Sequence, residues 1–528
     1  MAATSFKGAV LGKRYLYLTV FCAGMTTLAV ELSAARLLEA VFGTSNVVWA
    51  NIIGLILVYL TLGYFIGGRW ADRSPHLTTF YRLLIWAAFS AGLIPLVSRP
   101  LLGAAARAFP SADGLSANVA VIGGSFVSVL LLFALPVTLL GCVSPFAIRL
   151  ALKDVATAGD VSGRVYAIST LGSIVGNFTP VLFLIPTVGT ARTFLLFSGL
   201  LMAVALLGLA RAGGRWLVYL WMPLVLGVLA WLVLPGPVKP VGQGQRLLFE
   251  EESAYNLIQV VEDEVGWRYL LLNEGQGWHS LYHPDQLLTG FTWDYFLIGP
   301  LFNPPPFLPE QVQRMAIIGL AGGTIARQYS AVYGPVLIDG VEIDPEIVRA
   351  GREYFGIGEA LLPNLNVVVA DGRFFLAQTD KVYDVIAVDA YRLPYIPWHL
   401  STVEFFRQAR ERLDEDGVLI VNVGRTESDY RLVEALVATL RAVFASTHVF
   451  PVPDSFNAII VATVQPSTIE QLAANLATVE HPLLRQAGER ALADWRPVAA
   501  SGPIFTDDKA PVEQLTNLIV LRYLLAGE

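Results

Sequence analysis

The chain has 528 residues, enough for two or three domains, and 55% of them are hydrophobic; a mean hydropathy of +0.57 is too high for an ordinary soluble protein. A formal net charge of −7 offers no electrostatic footing for nucleic-acid binding, so nucleic acid is not expected among the partners. The two cysteines, Cys22 and Cys142, lie in separate apolar segments, which excludes a disulfide framework and a thiolate zinc centre; no metal site is expected.

The apolar residues are concentrated before about residue 236. Stretches near 15–42, 46–67, 79–98, 118–147, 165–188, 193–210 and 216–234 are each long enough to cross the hydrocarbon core as a helix. They predict a transmembrane helical domain over 1–236 with about seven spans. The N-terminal segment has no small-residue cleavage site clearly placed after a short apolar core, and it reads as a retained span. Gly and Pro within GNFTPVLFLIPTVG are tolerable where neighbouring helices satisfy the freed backbone groups. The small residues of STLGSIVG permit close helix contact. Lys13, Arg14, Arg69, Arg73, Arg149, Lys153, Arg211 and Arg215 fall on one side if the N-terminus is cytoplasmic.

Seven full crossings from that start would leave the second half of the chain outside the cell. A nucleotide-type substrate, argued for below, is normally found inside. Either one segment is re-entrant or interfacial, or a further short span lies near 100–112. Glu31, Arg36 and Glu39 sit at membrane depth, where ionisable groups are costly; they read as a functional cluster or as an internal ion pair that fixes packing. The loop GGRWADRS resembles the short basic loop of major-facilitator transporters. A Gly-rich turn with positive-inside arginines explains it as well, and no duplicated second half is evident.

PGPVKPVGQGQ marks a linker over 237–248. Strand-forming NLIQVVED and WRYLLLNEG follow it, joined by an acidic turn, in a small antiparallel lead-in region over 249–310. From 311 to 528 the pattern alternates apolar strands with helices: MAIIGLA, VLIDGVEID, LNVVVAD, YDVIAVDA and GVLIVNVG. Such strands imply a parallel α/β sheet covered on both faces, with ligands bound at the carboxyl ends of the strands.

Those ends carry the candidate site. IIGLAGGTIAR sets Gly319, Gly322 and Gly323 between a strand and its helix, where a ligand can approach the backbone. Glu342, 23 residues beyond Gly319, closes the next strand at the distance of a ribose-binding acid. Asp371 and Gly372 follow the third strand, and Asp389 closes the fourth. Each acid alone reads better as a helix cap. In succession they point to an adenosine-type ligand. No Walker lysine motif accompanies them, which argues against ATP-driven transport.

The ordered set GLAGGT, VEIDPEIV, ADGRFF and YDVIAVDAY resembles the spermidine synthase (aminopropyltransferase) family. With IPWHLSTVEFF and TDDKAPVE it also looks like the membrane-fused, spermidine-synthase-like branch. The resemblance spans about residues 250–520. It implies a Rossmann-like catalytic domain of the spermidine synthase and class I methyltransferase type with a small N-terminal β-region, fused here to the multi-span membrane domain, and commonly dimeric. It further implies that Glu342 holds the ribose, Asp371 and Gly372 the adenine edge, and Asp389 the amino group of the transferred chain. The substrate would be S-adenosylmethionine or its decarboxylated form, with no other cofactor, and methylthioadenosine would be released.

The family pattern is broken where polyamine synthases gather acids around two cations. The aspartate expected before the last two glycines of the turn is Ala321, and the second aspartate of the strand-four motif is Arg392. Around GFTWDYF the usual polyamine-contacting tyrosine is not matched, and Trp293 lies nearby. Loss of two acids and gain of a base disfavours a dication by several kcal/mol. Arg392 suits a carboxylate, which intact S-adenosylmethionine still carries; it also fits a solvent-facing or ion-paired arginine. The expected chemistry is therefore attack at the carbon γ to that carboxylate, by the carboxylate itself to form a lactone or by a non-polyamine acceptor. Asp389 and Tyr391 are the catalytic candidates; His283 and His399 read better as structural. Polyamine synthesis from the decarboxylated donor, methyl transfer, and a nucleotide-sensing transporter are the alternatives. The protein is expected in a bacterial-type inner membrane, in contact with the lipid bilayer, with its catalytic domain cytoplasmic.

Overall fold

The computed structural model describes residues 2–42, 46–108, 116–239, 241–273, 277–358, 360–391 and 396–526. The chain divides into two compact units. One takes in nearly all of the first 240 residues together with 252–255, and the other is built mainly from 241–251 and 256–528.

Apart from 252–255 and short turns, the described residues of the first unit are helical. Among the described residues, seven helical segments are long and apolar enough to cross a membrane: Gly12–Glu39, Val48–Arg73, Leu77–Ser98, Gly123–Ala151, Val155–Val188, Thr190–Arg211 and Trp216–Val233. Leu77–Ala108 is one continuous helix with Pro95 and Pro100 inside it, so no separate span starts near 100; 109–112 lie outside the described residues. In GNFTPVLFLIPTVG the chain passes Pro180 by widening into a π turn over Pro180–Leu184, which accommodates the missing N–H without breaking the helix. The small residues of STLGSIVG bring two helices into backbone contact. A Cβ on Gly172 would strike the Phe21 carbonyl, and one on Gly176 the Met25 carbonyl.

Several helix ends meet in pairs. Arg149 bonds Asp72 at 3.1 Å, and the Arg211 guanidinium lies 4.4 Å from the centre of the Tyr15 ring. Arg36 pairs with Glu39 at 3.1 Å. It also donates to the carbonyls of Ser253 and Tyr255 in the same unit, so it does more than neutralise its own helix.

The second unit holds two sheets. β1 (Arg246–Glu252), β2 (Leu257–Glu262), β3 (Arg268–Leu272) and β4 (Trp278–Tyr282) form a four-stranded sheet in sequence order. β1 starts within 237–248, the stretch read as linker, because Leu248 and Phe249 pack against the apolar cluster around Ile347 and Phe355 and Arg246 pairs with Glu262 at 2.5 Å. The lead-in strands are therefore compact with the larger sheet rather than set apart from it, apart from the 252–255 turn.

The larger sheet comprises β5 (Arg314–Ile318), β6 (Leu337–Glu342), β7 (Leu365–Val369), β8 (Tyr383–Val388), β9 (Leu413–Gly424), β10 (Ser446–Pro451) and β11 (Asn457–Thr463), in the order β10-β11-β9-β8-β5-β6-β7. The five strands read from sequence are parallel. β10 and β11, which that reading did not identify, add an antiparallel hairpin against β9. Alternation along the strands feeds two cores: Met315, Ile317, Val385 and Ile420 on one face, and Ala316, Ile318, Ile386 and Val421 on the other. The chain leaves β5 toward β6 on one side and returns to β8 on the other. That reversal opens a crevice at the carboxyl ends of β5 and β8.

Candidate active site

Register decides which residues share the crevice. Ile318 is opposite both Val341 and Val388, so the residues that follow, Gly319, Glu342 and Asp389, emerge at one level. Gly319 (φ +90°) turns the chain where a Cβ would lie 2.5 Å from the Asp389 carbonyl oxygen. No other residue fits that approach. The next turn residue, Ala321, is held at φ +49°, a region that carries a steric penalty for any residue with a Cβ.

The acids differ in what they already hold. Glu342 is buried and accepts from the Ala321 N–H at 3.0 Å and the Asp344 N–H at 3.2 Å. Burial pushes its carboxyl up to about 7 against the lowering effect of these bonds. It thereby ties the Gly-rich turn to β6, with lone pairs left over. Asp371 is a helix cap, its Oδ1 accepting from the Phe374 N–H at 3.0 Å, while Oδ2 meets His399 Nε2 at 3.0 Å. Gly372 is buried against Ile318, with no room for a Cβ. The Gly322 N–H is already taken by Ser280 Oγ at 2.8 Å, which clamps β4 onto the turn.

Asp389 is the best framed of the three. Its Oδ2 accepts from Trp293 Nε1 at 3.1 Å and its Oδ1 from Asn422 Nδ2 at 2.8 Å. Asn422 is in turn oriented by Asn457 Nδ2 at 2.9 Å. Burial raises the Asp389 carboxyl to about 7, opposed by these two bonds. Both of these donors are neutral, so among the described residues the carboxylate is hydrogen-bonded without being paired to a cation.

Tyr391, two residues on, has a buried hydroxyl with no hydrogen-bond partner among the described residues; Asn457 is near enough to act on the phenol and lowers its pKa slightly against the effect of burial. Burial, with the Asp389 charge added, raises the phenol well above its ordinary value, so it is a donor and not a base. Arg392 lies outside the described residues. His283 accepts from the Asp285 N–H at 3.1 Å within its own turn, a structural use.

Trp293, Asn422, Asn457 and Ser280 were not assigned roles from sequence. For Asn422 the signal was available, since it is the one polar residue in the apolar run Val418–Val423 of β9. The others become visible only when separate segments pack together. Among the described residues no group of three His, Cys, Asp or Glu side chains is placed to hold a metal ion.

The sequence profile described as Spermine/spermidine synthase domain matches residues 303–472. A Vibrio vulnificus protein named polyamine aminopropyltransferase is 30% identical over 269 residues, covering 48% of this chain and 86% of that protein. A Bifidobacterium longum protein named "Probable polyamine aminopropyl transferase" is 34% identical over 291 residues. That match covers 51% of this chain and 62% of the Bifidobacterium protein, less than two thirds of its length. A solved structure described as a probable spermidine synthase from Corynebacterium glutamicum is 22% identical, with a TM-score of 0.38, over 49% of this chain and 98% of that one.

Proposed function

The chain belongs to the spermidine synthase family, and on that premise we propose that it is an integral-membrane transferase of the aminopropyltransferase type, acting at the sulfonium of S-adenosylmethionine and releasing methylthioadenosine. Glu342 would accept the ribose hydroxyls, and Asp371 with Gly372 would meet the adenine edge. The close turn at Gly319 and Gly322 would let the nucleoside approach the backbone. Asp389 would receive the donor's ammonium.

The observation that carries this reading is the setting of Asp389. Among the described residues its hydrogen-bond donors are the neutral side chains of Trp293 and Asn422, which leave its charge for a ligand. One carboxylate balances one ammonium. A second cation at about 4 Å, with no second acid to meet it, forgoes about 4 kcal/mol at an effective dielectric near 20. Arg392, three positions after Asp389 in the sequence, is proposed to take the α-carboxylate of the intact donor.

The reaction we favour is internal. A carboxylate oxygen attacks the γ-carbon, the C–S bond breaks with its electron pair going to sulfur, and neutral methylthioadenosine leaves beside an α-ammonio-γ-lactone. No proton need move, so no strong base is required, and a chain folded back on itself has a high effective molarity. The Tyr391 hydroxyl, buried and without a partner among the described residues, would steady the folded chain. Transfer of the aminocarboxypropyl group to a non-polyamine acceptor shares these requirements. A second reading, polyamine synthesis from the decarboxylated donor, is favoured by the names of the relatives. Either way the substrate is a small molecule; the catalytic unit is proposed to face the cytoplasm from a bacterial-type inner membrane, as a homodimer.

The test is mass spectrometry of the purified full chain with S-adenosylmethionine alone, and separately with its decarboxylated form plus putrescine. Methylthioadenosine and lactone in the first tube support the internal route. Spermidine in the second, with the first silent, replaces it by the polyamine reading.

A further inference from the structure

Two stretches distant in sequence, IPWHLSTVEFF and TDDKAPVE, meet beside the proposed adenine edge. Asp507 lies at their centre. Its Oδ1 accepts from Arg373 Nη1 at 2.8 Å and from Thr402 Oγ1 at 2.7 Å, and its Oδ2 from Arg373 Nη2 at 2.6 Å. The Asp507 N–H donates to Glu404 at 3.0 Å, and the backbone is pinned two residues earlier, where the Val403 N–H donates to the Phe505 carbonyl at 2.8 Å. Arg373 also donates to the His399 carbonyl at 3.2 Å, and the His399 ring meets Asp371 Oδ2 at 3.0 Å. A continuous set of bonds thus leads from the C-terminal turn to Asp371.

The arrangement answers a problem of local charge. Arg373 is two residues from Asp371, and the Asp371 charge already acts on it. A guanidinium that close would itself fork onto the carboxylate meant for the ligand. Asp507 takes both Nη groups of Arg373, which keeps the arginine occupied and fixes the turn that bears His399. Asp371 then retains lone pairs for a neutral amino group.

We propose that Asp507 is a positioning residue for the nucleoside edge of the donor site: by holding Arg373 away from Asp371 and fixing the His399 turn, it keeps the Asp371 carboxylate open to an adenine-type amino group. This rests on the reading of Asp371 as the adenine contact.

The experiment is calorimetric titration of the full-length protein in detergent with methylthioadenosine. Asp507→Asn is expected to bind about tenfold more weakly than wild type. Asp507→Asn combined with Arg373→Gln is expected to recover to within about threefold, because the competing cation is gone. A bond that merely supports the fold would show its loss and its recovery in the melting temperature, with methylthioadenosine binding by the folded protein unchanged in both variants. Asp371→Asn separates the premise from the proposal. If it binds as wild type, the adenine assignment falls and the proposal with it. If it binds weakly while Asp507→Asn is normal, or if Arg373→Gln fails to rescue, the proposal alone is overturned. Should Asp507→Asn not fold, Asp507→Glu is read by the same criteria, with about a threefold loss expected and the same rescue.

Discussion

Replacing Trp293 by Phe should move the pH dependence of donor binding without dismantling the site. The indole is 5% exposed and packs in the core beneath β8, and phenylalanine retains much of that volume. What it removes is the Nε1–H that donates to Asp389 Oδ2 at 3.1 Å. A hydrogen bond to a charged group is worth about 1.5–3 kcal/mol net, and one pKa unit is about 1.4 kcal/mol, so loss of the bond raises the carboxyl by about one unit or more. The Asp389 midpoint then rises from about 7 to about 8. Near pH 7 the ionised fraction falls roughly fivefold, whereas near pH 9 the variant comes within roughly a tenth of wild type. Because Glu342 also titrates at about 7, the single steep limb of the wild-type profile should separate into two. The assay is S-adenosylmethionine binding to the full-length protein in detergent, from about pH 6 to about pH 9. An equal loss at every pH, with the midpoint unmoved, would refute the claim that ionised Asp389 receives the donor's ammonium.

Stability carries the opposite pH sign. The Asp389 carboxyl, raised to about 7 from 3.8, contributes stability to the empty protein that is fully present below about pH 4 and is lost as pH rises through about 7. The contribution is on the order of 4 kcal/mol at most; Asp389→Asn should flatten that part of the thermal-melting profile, and an unchanged slope would count against the buried setting. Gly319→Ala should abolish donor binding, since its Cβ would lie 2.5 Å from the Asp389 carbonyl oxygen, whereas Ala321→Gly, at φ +49°, should raise stability by about 0.5–1 kcal/mol in denaturant titrations. In the helical unit, Gly176→Val should lower the melting temperature by many degrees because its Cβ meets the Met25 backbone, while Gly199→Ala, with open space around it, should not. Equal melting of the two variants would show that the close helix contact contributes little.

The long apolar helices were legible because each is apolar over a length sufficient to cross hydrocarbon, and that property needs no knowledge of its neighbours. The parallel strands were legible for a related reason: burial on both faces writes a continuous run such as Ile317–Ile318 or Val385–Val388. The hairpin of β10 and β11 escaped because THVFP and NAIIVAT do not announce their direction; packing against β9 decides it. Asp371 illustrates the limit of reading residues singly. As a cap and as a ligand contact it carries the same signature, and the structure has it capping a helix while its other oxygen meets His399.

What the sequence determined by itself was the division into an apolar helical part and an α/β part, and the placing of Gly319, Glu342, Asp371 and Asp389 at strand ends. These follow from local composition and from where a strand must stop. Tertiary structure alone decided which groups meet those acids. Trp293 and Asn422 reach Asp389 from 96 and 33 positions away, and Asp507 reaches Arg373 across 134. Hydrogen bonds over such separations depend on how strands and helices register in space, and no periodicity along the chain records that.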